Sequence, residues 1–278
     1  MSLQTPKHAR PARCIALAAA LSVVSVTAHA DQPLWEAGMG LAGLHLPHYR
    51  GSNQTRNWLL PLPYVVYRGE VFKADREGAR ARLIESQRFD LDLSFAASAP
   101  TSSKDNIARA GMPDLAPTVE IGPNLSVLLG RGSFWKAELR VPVRAAVTLR
   151  SSPKVIGVIA TPNINLDVKV QGWDIGLFTG PIIGSRGLNS YFYDVAPAYA
   201  TATRPTYHAD GGLGGWQITS GISRRMGNLW VGAFVKADSV ASARYVNSPL
   251  VRQKQTTAYG IAVSWVFANS SQRVADDD

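Results

Sequence analysis

Cysteine is almost absent from this chain of 278 residues, whose single thiol is Cys14. Beyond that position neither a disulfide nor thiol chemistry is available. The histidines that follow residue 30 are His45, His48 and His208, and they lack the spacing of metal ligands. The sequence therefore predicts no metal site and no cofactor.

Helical periodicity and long apolar runs are also missing. No segment repeats apolar residues at i, i+3, i+4 and i+7 over a helical length. The apolar run from Ile15 to Val26 is shorter than the roughly 20 residues that a spanning helix needs. It follows three cations and precedes Ala28-His29-Ala30, which is the layout of a secretory signal peptide. We predict that residues 1–30 form this signal and that cleavage follows Ala30.

What the sequence does contain is alternation. In YGIAVSWVF (259–267) the apolar residues Tyr259, Ile261, Val263, Trp265 and Phe267 occupy every second position. A period of two indicates a β-strand with one apolar face. Similar alternation recurs along the chain and predicts twelve strands in one all-β domain, residues 31–267. These strands cover 34–46, 57–67, 70–76, 79–86, 88–98, 116–129, 133–149, 156–170, 173–183, 211–226, 228–239 and 257–267.

The connections between these strands differ in length according to parity. Even-numbered strands are followed by tight turns such as Gly130-Arg131-Gly132, whereas odd-numbered strands are mostly followed by long loops. In an up-and-down meander, this sorting places short turns at one end and long loops at the other. Outer-membrane barrels have that asymmetry. The pattern predicts a transmembrane antiparallel β-barrel in the outer membrane of a Gram-negative cell.

The polar residues of several strands indicate a charged interior. Between residues 134 and 149 the odd positions are apolar, and the even positions include cations. A cation facing lipid near the midplane costs about 2–4 kcal/mol, so these side chains are expected to face the lumen. The candidate lumen lining comprises Lys136, Glu138, Arg140, Arg144, Asp167 and Lys169.

A water-soluble β-protein would show the same alternation with its faces reversed. The signal peptide, the sorted loops and the Tyr and Trp residues near strand ends favour lipid on the outside. The ten aromatic residues expected in these interfacial girdles are Trp35, Trp58, Tyr64, Tyr67, Trp135, Trp173, Trp216, Trp230, Tyr259 and Trp265.

Two short patterns resemble chemical sites. Residues 38–43 match G-x-G-x-x-G but lie in a predicted strand and open no helix, so small residues packed on a strand explain them better than nucleotide binding. His208 and Asp210 are a weak candidate for a hydrolase pair. There is no Gly-x-Ser-x-Gly motif. The sequence therefore predicts a protein that is not an enzyme.

Four segments resemble the MipA/OmpV family of outer-membrane proteins. They are residues 40–69, 116–130, 207–235 and 247–267. The most specific parts are Pro47-x-Tyr49-x-Gly51-Ser52 with Pro61-Leu62-Pro63-Tyr64, and Ser248-Pro249-Leu250-Val251. The resemblance covers essentially the whole chain after the signal.

This resemblance implies a scaffold that links a murein-cleaving lytic transglycosylase with a murein-synthesising penicillin-binding protein. Because other members are porin-like or adhesin-like, a channel for small solutes is the alternative.

The alternating residues of 259–267 are the expected signal for the barrel-assembly machinery. Residues 268–278 are expected to form a disordered acidic tail, or a docking peptide. Outer membrane lipid and lipopolysaccharide are the expected partners, and nucleic acid is not expected to bind. The loop residues expected to contact lipopolysaccharide phosphates are Arg50, Arg56, Arg204, Arg252 and Lys254.

Overall fold

Thirteen antiparallel strands form one closed sheet in a computed structural model, which describes residues 32–68, 72–75, 78–86 and 88–274. The predicted signal peptide and Ala30 lie outside the described residues. The strands of the sheet are β2 (Trp35–Pro47), β3 (Thr55–Arg68), β4 (Phe72–Asp75), β5 (Gly78–Glu85), β6 (Phe89–Ser98), β7 (Thr118–Arg131), β8 (Trp135–Thr148), β9 (Val155–Ala160), β10 (Asn163–Val170), β11 (Trp173–Gly184), β12 (Gly212–Met226), β13 (Leu229–Ser239) and β14 (Gln255–Asn269). Two further strands of two residues each, β1 (Gln32–Pro33) and β15 (Arg273–Val274), pair with each other.

The described strands confirm the predicted barrel and its twelve positions. Apart from β9 and β10, each strand of the sheet pairs with the next one along the chain, and β14 pairs with β2 to close the barrel. The predicted strand over 156–170 is split into β9 and β10, with Thr161 and Pro162 between them. Both halves pair with β8 and with β11, so they fill one position in the wall.

The outer surface of the barrel is apolar, as the alternation predicts. On β14 the five residues Tyr259, Ile261, Val263, Trp265 and Phe267 are exposed, while Ser264 and Val266 are buried. The same arrangement appears on β8, where Leu139 and Val143 are exposed and Glu138 is buried. A surface of this kind is stable against hydrocarbon and not against water.

Three of the aromatic residues predicted to lie in the outer girdles, Trp58, Tyr64 and Trp230, instead turn inward, and Trp58 lines the upper cavity of the lumen. The rings of Tyr64 and Trp230 are 5.9 Å apart, and Trp230 lines the lumen. Nearness to a strand end therefore does not decide whether an aromatic residue faces lipid or the lumen. Its place in the alternation of the strand decides this. Trp35, Trp135, Trp216, Tyr259 and Trp265 are exposed.

Glycines bring β2 close to β14 at the place where the sequence matches a nucleotide-binding pattern. A Cβ added at Gly40 would lie 2.0 Å from the Val263 carbonyl oxygen, and one at Gly38 would lie 2.4 Å from that of Trp265. The pairing of β14 with β2 contains a bulge between Val266 and Ala268. These glycines therefore serve strand packing and offer no helix N-terminus to a phosphate.

The long connections lie at one end and fold together into a compact cap, defined here as residues 48–54, 99–117, 185–211 and 240–254. One segment of the cap is an eight-residue helix, α1 (Arg186–Tyr193), whose first turn is capped by the Ser185 side chain. Short 3-10 turns occur at Ser103–Asp105, Ile107–Arg109 and Pro197–Tyr199. No helix among the described residues is long and apolar enough to cross a membrane.

The predicted tail differs from the structure over its first seven residues. Ala268 and Asn269 belong to β14, and Ser270 N donates a hydrogen bond of 2.8 Å to the Trp35 carbonyl oxygen. Arg273 and Val274 then pair with β1. Polar composition predicted disorder here, but backbone pairing with the strand that begins the barrel supplies partners that composition does not reveal. Residues 275–278 lie outside the described part of the chain.

Candidate functional site: a capped lumen with two cavities

The cap has its own hydrophobic core above the barrel. The Tyr193 and Tyr245 rings stack with centroids 3.7 Å apart, and Tyr49 meets Tyr193 edge-on at 6.1 Å. The buried members of this core are Tyr49, Met112, Leu115, Tyr193, Val195, Ala209, Val240, Ala243, Tyr245 and Leu250. They come from all four cap segments, so the loops close the long-loop end together.

The two sequence motifs that carry the family resemblance contact each other in this core. The Tyr49 hydroxyl donates to the Leu250 carbonyl oxygen at 2.9 Å. The Gly51 carbonyl oxygen accepts from the backbone N–H of Arg252 and of Gln253. Gly51 has a φ of +85°, a conformation that favours glycine. The Ser248 hydroxyl donates to the Tyr193 carbonyl oxygen at 2.8 Å.

A cavity of about 520 Å³, called the chamber here, lies beneath the cap. A second cavity of about 1140 Å³, called the vestibule, reaches the rim formed by the short turns. Asp92, Arg140 and Phe234 line both cavities and so mark the level that separates them.

A charged network occupies this level of the lumen. Glu138 accepts from Lys136 Nζ and from Arg140 Nη2, each at 2.7 Å. Arg140 Nη2 also lies 3.3 Å from Asp167 Oδ2, and Asn165 donates to that same oxygen. Because Glu138 is buried and bridges two cations, it fixes the Arg140 side chain at this level of the lumen.

The six candidate lumen residues all face the interior. Lys136, Glu138, Asp167 and Lys169 line the vestibule, Arg144 lines the chamber and Arg140 lines both. Arg144 Nε donates to Glu120 Oε2 at 3.2 Å, and its terminal nitrogens donate to the hydroxyl groups of Ser94 and Thr161.

The candidate loop cations are divided by the structure. Arg56, Arg252 and Lys254 are exposed, and Arg56 pairs with Asp105 at 3.5 Å. Arg50 instead lines the chamber. The Arg204 guanidinium donates to the carbonyl oxygens of Tyr199, Ala108 and Ala110, which leaves it to join cap segments. The prediction of outer-surface contacts was wrong for these two residues, because loops have no periodicity from which to assign an inward side.

The candidate hydrolase pair is not assembled into a catalytic site. His208 is 70% exposed, and its Nδ1 lies 3.7 Å from Asp194 Oδ2 rather than beside Asp210. The other Asp194 oxygen accepts from the Ala209 backbone N–H. Asp194 therefore serves the loop backbone, and His208 is left in solvent.

His48 is the cap histidine that faces the chamber. The Asn106 amide donates to His48 Nδ1 at 2.9 Å, and the His48 carbonyl oxygen accepts from the Thr101 hydroxyl. Burial lowers the pKa of His48, partly offset by Asp105, and Arg56 lowers it further. The imidazole is consequently neutral at pH 7, with Nδ1 acting as an acceptor.

A closed antiparallel barrel with a lipid-compatible exterior, charges inside and long loops at one end defines an outer-membrane β-barrel protein. The family model described as MltA-interacting protein MipA matches residues 39–267. The chain therefore belongs to the MipA family. A search of curated protein sequences finds no match.

Solved structures with similar architecture include other outer-membrane proteins. A bacterial polysaccharide outer-membrane secretin has a TM-score of 0.41 and 7% identity, with 84% of this chain and 99% of that chain covered. An active-site mutant of outer-membrane phospholipase A from Escherichia coli has a TM-score of 0.34 and 10% identity, with 86% and 93% covered. The outer-membrane protease OmpT from Escherichia coli has a TM-score of 0.28 and 6% identity, with 86% and 98% covered. These low scores carry no inference about activity.

Proposed function

We propose that this protein is an outer-membrane scaffold that holds murein enzymes at the periplasmic face of the membrane. In this role it binds a murein-cleaving lytic transglycosylase and a murein-synthesising penicillin-binding protein. The family's description, which names an interaction with MltA, supports this role. Holding two enzymes on one anchor raises their effective concentration.

The observation that carries the proposal is the asymmetry of the lumen. The cap covers the long-loop end with a packed core, whereas the vestibule opens at the short-turn end. Short turns of outer-membrane barrels are periplasmic. The concave vestibule adds surface to the turns, which on their own are small compared with the roughly 800 Å² that a stable interface buries on each partner.

Charge at the vestibule rim indicates the chemistry of the partner surface. Arg88 and Arg131 are exposed there, while Lys136 and Lys169 lie just inside, opposite Asp167 and Asp174 respectively on neighbouring strands. We expect the partner to present acidic side chains to this rim, because complementary charge steers association.

Crosslinked envelopes test the proposal. We expect the wild-type protein to retain a lytic transglycosylase, and the double variant Arg88→Glu, Arg131→Glu to lose at least tenfold of it. Arg252→Glu, on the cap, is the matched control and should retain the enzyme. Equal recovery with all three proteins, or no recovery with any, contradicts the scaffold.

The second candidate is a channel for small solutes. Its support is that the chamber and the vestibule meet inside the barrel at Asp92, Arg140 and Phe234, which line both cavities. Steady single-channel steps in planar bilayers would favour this function. We propose binding rather than catalysis in either case, because His208 is solvent-exposed and lies apart from Asp210.

A further inference from the structure

Within the described part of the chain, strands β4 and β5 fill only part of the barrel wall between β3 and β6. Among the described residues, β3 pairs on this side only at Tyr67 and Arg68. β6 pairs with β5 only from Asp90 to Leu93. The hairpin strand β4 has four residues whereas β3 has fourteen, so it does not reach the upper wall. We call the opening between residues 55–66 and 94–98 the window.

The cap closes the window from above. Gln54 Nε2 donates to the Asp105 carbonyl oxygen at 3.2 Å, and Ile107 N donates to Gln54 Oε1 at 2.6 Å. The ion pair of Arg56 with Asp105 joins the start of β3 to the same loop. The window is therefore an opening in the side of the barrel, bounded above by the cap, and the adjacent strand β3 exposes the apolar residues Leu59 and Val65 on its outer face.

Two prolines adapt β3 to an unpaired edge. Pro61 and Pro63 stand opposite Leu41 and Met39 in an unbroken register with β2. Alternate residues of an antiparallel strand turn their N–H groups to opposite neighbours, and a proline has none to offer. At these positions β3 thus presents no orphan donor to the window. Such donors are costly in lipid, and proline within sheets is typical of edge strands.

The chamber lies directly behind the window. Its wall includes Trp58 from β3 and Ala96 from β6, which flank the opening. Arg50, Gln217 and Lys236 line the chamber further inside. A molecule entering between β3 and β6 would therefore reach these polar groups.

The inner wall of the chamber carries cationic and amide groups that the protein does not fully satisfy. Among the described residues, no carboxylate forms a direct ion pair with the Arg50 guanidinium and no side chain accepts its hydrogen bonds, although the chamber carboxylates Asp238 and Glu120 are near enough to favour its charge. Lys236 has Asp238 at 3.6 Å, and the Arg50 charge is near enough to repel that of Lys236. Gln217 as a residue is only 8% exposed, and its side-chain amide has no hydrogen-bond partner in the described part of the chain.

We propose that the chamber binds the headgroup of an anionic single-chain amphiphile, which enters from the membrane through the window. Arg50 and Lys236 bind its phosphate or carboxylate, since a guanidinium matches either group with two parallel hydrogen bonds. Gln217 supplies a further hydrogen bond. The chain lies in the window, beside the exposed apolar residues Leu60 and Phe95. A volume of about 520 Å³ accommodates a headgroup of modest size.

Native mass spectrometry of the purified protein in octyl glucoside tests the headgroup site, with dodecyl phosphate and inorganic phosphate as probes. We expect dodecyl phosphate to bind at least tenfold more tightly than inorganic phosphate. Arg50→Gln should weaken dodecyl phosphate at least tenfold, and Arg252→Gln on the exposed cap should not. If Arg50→Gln fails to fold, judged by migration of unboiled samples, Lys236→Met replaces it with the same expectation.

The window is tested by narrowing it. Leu60→Trp, in the window but not in the chamber lining, should weaken dodecyl phosphate at least tenfold and leave inorganic phosphate unchanged, because only the amphiphile needs room for its chain. Equal affinity for the two probes would show a solute site reached through water and would overturn the proposal. An unchanged affinity of the Arg50→Gln variant for dodecyl phosphate would overturn it as well, and so would the absence of dodecyl phosphate binding to the wild-type protein. None of these outcomes bears on the scaffold, whose surface lies at the other end of the barrel.

Discussion

Tyr49 and Leu250, 201 positions apart in the sequence, are joined by a hydrogen bond of 2.9 Å from the phenol to the carbonyl oxygen. Both residues are buried in the cap core. Burial raises the pKa of Tyr49 to about 12, so the phenol remains a donor throughout the ordinary pH range. This bond ties the first cap segment to the last.

Removing that hydroxyl should loosen the cap. Tyr49→Phe leaves the Leu250 carbonyl oxygen without this donor and should cost about 1 kcal/mol of cap stability. Limited proteolysis of the loops in detergent measures the effect as faster cleavage. Tyr199→Phe is the matched control, because Tyr199 packs on the same core and its hydroxyl makes no hydrogen bond within the described residues. Equal protease resistance of both variants would contradict the assignment.

The charged network in the lumen should contribute to barrel stability through Glu138. Glu138→Gln removes the anion that bridges Lys136 and Arg140 and leaves two cations close together. The expected loss of barrel stability is roughly 1–3 kcal/mol, since Lys136 and Arg140 lose the charged acceptor that they share. The measurement is the temperature at which unboiled protein changes its gel migration. Arg131→Gln at the exposed rim should leave that temperature unchanged, and the prediction fails if both variants behave alike.

The cap should become less stable as the pH falls below about 6.5, the ordinary pKa of histidine. Because the folded-state pKa of His48 is lowered, the unfolded state binds more protons between the two pKa values. Stability from this group is therefore full above about pH 6.5 and declines as the pH falls toward the folded pKa. Protonation at Nδ1 also breaks the bond from Asn106.

Loop proteolysis between pH 8 and pH 5 measures this dependence. His48→Gln should flatten the profile, while His208→Gln should not, because His208 is exposed. An unchanged slope in His48→Gln would assign the dependence to other groups.

A cation on the lipid face should impair the barrel according to its depth. Val263→Arg, halfway along β14, should cost about 2–4 kcal/mol, because an arginine near the midplane is poorly solvated. Gln255→Arg, at the end of the same strand, should cost little. The yield of correctly migrating unboiled protein measures the difference. If Val263→Arg folds as well as Gln255→Arg, the outer surface of β14 does not face hydrocarbon.

The sequence predicted the barrel because strand alternation and loop parity are local patterns. Lys136, Glu138 and Arg140 alternate with apolar residues, and the cost of cations in lipid assigns them to the lumen. No comparable rule places Arg50 or Arg204, which lie in loops and depend on contacts with distant residues. The cap was missed for the same reason, since its core unites segments up to about 200 residues apart. The eight-residue helix α1 is too short to show a periodic pattern.

The window could not be predicted from strand alternation alone. The short third and fourth strands were visible in the sequence, but their alternation is poor and it does not show which neighbours they leave unpaired. Pro61 and Pro63 were the available signal, because proline in an interior strand would remove ladder hydrogen bonds. An edge inside a closed barrel is revealed only when the register of β3, β5 and β6 is known.

The antiparallel pairing of β1 (Gln32–Pro33) with β15 (Arg273–Val274) makes the first and last described residues neighbours on the short-turn side. A brief peptide linker would join them into a circle, and the ring could then be reopened at another tight turn, such as the one after Met226. Such a circularly permuted chain would begin and end with different strands of the same barrel. It would show whether folding requires the sequence of β14 at the C-terminus or only the complete set of barrel strands.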